Sequence, residues 1–334
     1  MKKFRLLSII ILTIMFILFS IPVYNIINYR FQPSQTLFIN VEKGQPLQKT
    51  HKILSNSGLE TTYPIFRLYG YLFNHLNKLK FGYYEFSQDS SYSINDIYTI
   101  LCSGISRSIK ITIHEGTKFR DIAKQLEEKL KLDKDTLNSL FQDTQFLRSL
   151  DITSTTLEGF LYPETYQVPE YYMERDVIKL LVNTFHKNIE PLKPEIEKSK
   201  FTLNELLTLA SIIQGECMVI DEAEMISAVY NNRLDNKMLL QADPTIQYLF
   251  KNPKRLLFKD LEIDSPYNTY KYKGLPPTPI NNPSITMIKA ALNPSKSSVI
   301  YMVADGTGRH NFNTNLKDHL EDKKILDEIR RNHK

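Results

Sequence analysis

Among the residues able to do chemistry, Glu216 stands out, at the end of the run TLNELLTLASIIQGE that begins at Thr202. It follows Leu209 and Ile212 at seven and four residues, so on a helix its carboxyl borders an apolar stripe. Desolvation there disfavours the anion and raises the pKa, the condition for a glutamic acid to act as a general acid near neutral pH. Gly215 beside it is expected to leave room for a bulky ligand. Other carboxylates that could act with it are Glu158 and Glu164, in LEGFLYPETY, and Asp243, in QADPT. Asp243 immediately before Pro244 also fits a helix N-cap with proline at the first helical position. No Gly-rich phosphate loop and no Gly-x-Ser-x-Gly elbow occurs. Ser211 lies within the helical pattern, where a nucleophile would be poorly exposed. His310 and His319 fit no zinc-binding spacing, so neither a metal nor a cofactor is expected. Cys102 and Cys217 fit neither a zinc site nor a disulfide framework, and a buried thiol is expected for Cys217.

The elements that must position Glu216 can be read around it. Thr202 and Glu205 form a capping box that predicts a helix over 203–216, with Leu206, Ala210, Ile213 and Cys217 on its buried face. Asp221 and Glu224 open a second helix whose Ile226, Val229 and Tyr230 face inward. Residues 265–282, rich in proline and tyrosine, predict a stiff loop, in which Tyr267, Asn268 and Tyr270 offer phenol and amide groups able to hydrogen-bond a polar ligand. A hairpin is expected from 299–304 and 309–313 across a glycine turn, then a charged helix over 317–330. Residues 187–200 predict a solvated connection ahead of the Glu216 helix.

Nearer the amino terminus, a strand, a glycine and a helix recur at 37–54 and 109–130, suggesting two related units. Between them lie a strand over 81–86 and a helix starting near Ser93 and ending at Gly104. The apolar run 6–27 is long enough to cross a bilayer core of about 30 Å and follows Lys2, Lys3 and Arg5. A retained single anchor with everything after Asn28 outside the cytoplasm is therefore expected. At 334 residues and 42% hydrophobic content, the chain suffices for two domains beyond that run. A net charge of +5 is too mild and evenly spread for a nucleic-acid binder. With 19 Tyr and no Trp, any aromatic stacking on a ligand falls mainly to tyrosine.

The stretch Ala210-Ser211-Ile212-Ile213, then Gln214-Gly215-Glu216, resembles the signature of the endolytic murein transglycosylases, the YceG-like family, which reads Ala-Ser-Ile-Ile/Val followed by Glu-x-Glu. The family's catalytic glutamate falls on Glu216; the first is replaced by Gln214. The resemblance continues through Leu157–Tyr166, Asn232-Arg233-Leu234, Gln241–Thr245, Ser265–Tyr270, Gly274-Leu275-Pro276-Pro277 and Phe312–Leu316. It implies an α+β protein, a membrane-anchored ectodomain with a small LysM-like αβ domain and a larger mixed α/β catalytic domain. The expected boundaries are 1–35 for a cytoplasmic stub and transmembrane anchor (about 6–27), 36–105 for the LysM-like domain and 106–334 for the catalytic domain.

The implied activity is cleavage of the MurNAc-GlcNAc bond of nascent glycan strands to leave 1,6-anhydro ends, terminating elongation. Glu216 would be catalytic, with Tyr162, Glu164, Gln241, Asp243, Thr245, Asn268, Tyr270 and Asn313 binding substrate. Implied partners are peptidoglycan strands and penicillin-binding-protein synthases. The implied location is the cell (inner) membrane, single-pass, with the catalytic domain extracytoplasmic. Two alternatives stand beside this: a lysozyme-like muramidase hydrolase with Glu158, Glu164 or Asp243 as second carboxylate, and a non-catalytic wall-binding scaffold.

Overall fold

The computed structural model describes residues 24, 29–42, 44–104, 108–169 and 172–332. The expected anchor at 6–27 lies outside these apart from Tyr24, and among the described residues no helix is long and apolar enough to cross a membrane. The chain is mixed α+β, divided into two compact units: residues 1–108 with 169–171, and residues 109–168 with 172–334.

In the first unit, strand β1 (Arg30–Phe31) precedes β2 (Leu37–Val41), helices α1 (Leu47–Asn56) and α2 (Tyr63–Leu72), strands β3 (Gly82–Phe86) and β4 (Tyr92–Ser93), and helix α3 (Ile94–Ser103). β2 and β3 pair antiparallel from Leu37↔Phe86 to Val41↔Gly82, and β1 pairs with β4. Ile39, Leu54, Phe66, Tyr84, Phe86 and Tyr98 build the core. A Ser93–Asp96 capping box starts α3, and Gly104 ends it in the left-handed conformation, at φ 69°, that glycine adopts without strain. The expected strand and helix starts are thus present, whereas α2 was not foreseen. Its single charged residue is Arg67, and three tyrosines, a proline and a glycine fill half of it, a composition without the usual marks of a surface helix.

In the second unit, β5 (Ser108–Thr112) pairs with β6 (Thr165–Pro169), and α4 (Phe119–Leu130), α5 (Lys134–Leu140) and α6 (Thr144–Ser149) lie between them in sequence. α7 (Glu174–Ile189) follows, then a 3-10 turn (Glu190–Leu192) and α8 (Lys193–Ile196). The solvated connection expected over 187–200 is thus partly helical but mostly exposed, with only Ile189 and Leu192 buried. Val177, Leu181, Phe185, Ile189 and Leu192 carry a buried face into that charged segment, and Pro191 and Pro194 sit in first helical turns, where a missing N–H costs nothing.

α9 (Leu203–Glu216) occupies the middle of the core. Its eight successive residues from Leu206 to Ile213 are all buried, and it packs against α10 (Ala223–Asp235), α11 (Asp243–Tyr248) and α12 (Ile285–Leu292). Such all-round burial marks a helix placed inside the domain rather than on its surface. The predicted capping box is present: Thr202 Oγ1 accepts from the Glu205 N–H, and the Glu205 carboxylate accepts from the Thr202 N–H. β7 (Tyr301–Ala304) and β8 (His310–Asn313) form the predicted hairpin, and α13 (Leu316–Asn332) closes the chain.

Candidate active site

Glu216 is the last residue of α9, where Cys217 turns extended while its N–H still donates to the Ile213 carbonyl. The carboxyl is partly buried, and the Tyr230 hydroxyl, from α10, donates to Oε1 at 3.0 Å. Burial pushes its pKa up to about 7; the Asp243 charge adds to the rise, while the Tyr230 hydrogen bond and Arg233 oppose it. At neutral pH the group therefore holds its proton about half of the time. Arg233, one turn after Tyr230, is fixed by carbonyls: Nε donates to Ile300 O at 2.7 Å and Nη1 to Leu240 O at 2.8 Å, with the guanidinium over the Tyr301 ring.

These groups share a cleft of about 340 Å³ lined by Glu216, Tyr230, Arg233, Gln241, Asp243 and Tyr270, with His319 entering from α13. The turn before α11 brings two of them there. Gln241 takes a left-handed φ of 52°, an uncommon conformation for a non-glycine residue. Its N–H donates to Thr269 O, the Ala242 N–H to Thr269 Oγ1, and Thr245 Oγ1 donates to Ala242 O. Thr269 thus takes the two amides that lead into this helix. The expected N-cap role of Asp243 is corrected accordingly: Asp243 is the first helical residue, Ala242 precedes it, and the Asp243 carboxylate accepts from the Tyr270 hydroxyl at 2.5 Å.

The reading of Gly215 also changes. A Cβ at this position would lie 2.6 Å from Pro244 Cβ, so the glycine admits the Asp243-Pro244 turn rather than a ligand. Gln214 points elsewhere, its Oε1 accepting from the Ser284 N–H at 3.0 Å. Ser211 is fully buried, donating to Thr208 O and accepting from the Ile280 N–H. Cys217 is only partly buried, and its thiol donates to Val219 O.

The structure brings Gln241, Asp243 and Tyr270 to the cleft of Glu216, and places the other sequence-predicted site residues outside its lining. Thr245 is buried against Thr269. Asn268 is buried within its own loop, donating to Leu261 O and Ile263 O and accepting from the Tyr270 N–H. Asn313 donates to Asp322, Tyr162 packs against the core, and Glu164 is exposed. Of the candidate second carboxylates, only Asp243 lines the cleft. Glu158, 2% exposed, accepts from the Phe119 N–H and Asn282 Nδ2, and burial pushes its pKa up to about 8.

Sequence reasoning passed over the roles of Tyr230, Arg233 and His319. Tyr230 was read as apolar filling, yet a buried phenol needs a hydrogen-bond partner, and the neighbouring helix ends in a carboxyl. His310 is engaged by Glu222 at 3.0 Å. His319 stacks on Tyr301 with ring centroids 5.1 Å apart, and burial lowers its pKa, so at neutral pH it is an uncharged imidazole in the cleft wall.

Fold and site together give an α+β protein with one proton-holding glutamic acid in an open polar cleft. Comparison with known proteins agrees. The YceG-like family model matches residues 39–325. The chain is 32% identical over 302 residues to the endolytic murein transglycosylase of Bacillus subtilis, covering 85% of this chain and 83% of that one. It is 31% identical over 314 residues to that of Streptococcus pneumoniae, covering 84% of this chain but 56% of the longer relative. A crystal structure of a yceG-like protein from Listeria monocytogenes matches with a TM-score of 0.59 at 30% identity, over 86% of this chain and 98% of that one. The chain belongs to the YceG-like family.

Proposed function

We propose that this lyase is an endolytic lytic transglycosylase that cuts the MurNAc-GlcNAc bond of peptidoglycan strands and leaves 1,6-anhydro-MurNAc ends. Glu216 carries the reading, because its carboxyl is pushed up to about 7 in a cleft and is therefore available in both protonation states near neutrality. Protonated, it donates to the glycosidic oxygen as the C1–O bond breaks and the GlcNAc-terminated strand leaves as an alcohol. Ionised, it accepts the proton of the muramyl C6 hydroxyl as that oxygen bonds to C1. Atoms balance with no water consumed. Mass spectrometry of purified peptidoglycan treated with the protein tests this: anhydro ends are expected, and reducing ends overturn it.

A hydrolase is the second reading, favoured by the presence of Asp243 in the same cleft, where it could orient an attacking water. A protein that binds glycan without shortening it would instead be a scaffold. We also infer a single-pass anchor at 6–27, a LysM-like role for the first unit, supported by its strand–helix–helix–strand order, and action beside penicillin-binding synthases to end strand growth. An anchor would hold the cleft near newly made strands at raised effective concentration. A carboxyl-terminal reporter found in the cytoplasm, or crosslinking in cells that recovers no synthase, overturns these placements.

A further inference from the structure

Helix α2, with the sequence YPIFRLYGYL, is apolar on both of its faces. Phe66 and Gly70 face the unit's core, as the helical period requires. The opposite face carries Leu68, Tyr71 and Leu72 at 51%, 73% and 66% exposure, with Phe73 at 52% just beyond the last turn. Spacing of three and four residues puts Leu68, Tyr71 and Leu72 on one outward strip. Phe81, 63% exposed, lines a cavity together with Arg67 and so lies beside the same helix. Apart from Arg67 the exposed side of the helix is apolar, and an exposed apolar patch of this kind marks a surface that binds something.

We propose that the outward face of α2 beds into the bilayer surface, a reading that rests on the anchor at 6–27. Two observations favour lipid over protein as the occupant. The first is position. Tyr29, two residues after the apolar run, donates to Gly58 O and accepts from the Glu60 N–H, and α2 starts at Tyr63. The helix thus begins beside the chain's exit from the membrane, and its ten residues span about 15 Å. The second is charge. Residues 61–84 hold Arg67, Lys78 and Lys80 and no Asp or Glu, and all three cations are exposed, the fringe that anionic headgroups attract. Tyr71 brings the apolar ring and polar hydroxyl that suit the interface.

The chain contains no tryptophan, so a single introduced Trp is an unambiguous reporter. Full-length protein carrying Leu72→Trp, or the more conservative Tyr71→Trp, is reconstituted into phosphatidylglycerol-containing lipid vesicles, free of any other protein, with brominated or ordinary acyl chains. Emission from both variants is expected to be blue-shifted and to fall by at least half with brominated lipid, independently of protein concentration. Water-like emission unaffected by bromine overturns the proposal, as does a blue shift that appears only with added protein and no quenching, which assigns the face to a second copy. Flotation, measured first, separates the premise. Protein that fails to float with the vesicles refutes the anchor and the proposal together, whereas protein that floats with an unquenched Trp refutes the proposal alone.

Discussion

Tyr230→Phe keeps the buried ring and removes the one hydroxyl that donates to Glu216 Oε1 at 3.0 Å. That bond favours the carboxylate and opposes the rise caused by burial. A hydrogen bond to a charged group contributes about 1.5–3 kcal/mol, and one pKa unit corresponds to about 1.4 kcal/mol. Because the cleft is open and water can take over part of the bond, the Glu216 pKa should climb by about one unit. In the wild type, with a pKa of about 7, the protonated fraction falls from about 0.9 at pH 6 to about 0.1 at pH 8. The alkaline limb of kcat/KM for glycan shortening should follow it, and in Tyr230→Phe that limb should move upward by about one pH unit. Glu216→Gln deletes the proton itself, so turnover should drop roughly 10²- to 10⁴-fold and the limb should vanish while glycan binding persists. Rates measured from pH 5 to 9, with circular dichroism to confirm folding, decide the matter. A limb that stays in place or moves down in Tyr230→Phe refutes the assignment of that limb to Glu216.

Asp243→Asn retains an acceptor for Tyr270, so the lyase mechanism expects less than about a tenfold loss; a loss of about 10² or more in the shortening assay would favour the hydrolase. Gly215→Ala should destabilise the fold by about 1–3 kcal/mol in urea titrations and lower turnover, because a Cβ 2.6 Å from Pro244 Cβ pushes the Asp243 turn away. Glu158 holds a proton up to about pH 8 when folded and up to its ordinary value of 4.5 when unfolded, so its contribution to stability is complete below about 4.5 and is lost as pH rises through 8. Glu158→Gln, neutral throughout, should gain on the wild type between pH 5 and 8 by up to about 1.4 kcal/mol per unit, and a pH-independent difference in urea midpoints would refute this. Gln214→Glu should leave the pH profile of activity in place, since the side chain at 214 reaches the Ser284 N–H and not the cleft.

How much of this could be read from the sequence depended on whether the signal was local. The catalytic helix, its capping box and its end at Glu216 were legible because caps and helical spacing are properties of neighbours in the chain. The strand–glycine–helix units and the terminal hairpin were legible for the same reason. Helix α2 was missed because its tyrosines, proline and glycine are poor helix markers and Arg67 is its one charge, and α7 was missed because its charged end masked a buried stripe. At the site, the raised pKa of Glu216 followed from its apolar neighbours, whereas its partners did not: Tyr230 looked like core filling, and Asp243 looked like a cap. What reassigned Asp243 is the acceptance of the Ala242 N–H by Thr269, a contact across 27 residues that no local pattern encodes.

The position of Glu216 at the very end of its helix has an electrostatic consequence of its own. The peptide dipoles of α9 add along the axis, and its carboxyl end carries the equivalent of roughly half a negative charge. A carboxylate formed there by proton donation finds itself facing a field of its own sign. In the proposed reaction the anion exists only between breaking the glycosidic bond and closing the anhydro ring, and the same field that disfavours it drives recovery of a proton from the sugar hydroxyl. In that proposed reaction the helix would act as a return spring: the proton lent to the departing strand would be replaced from the other half of the same substrate, and the acid restored for the next cut without exchange with the surrounding water.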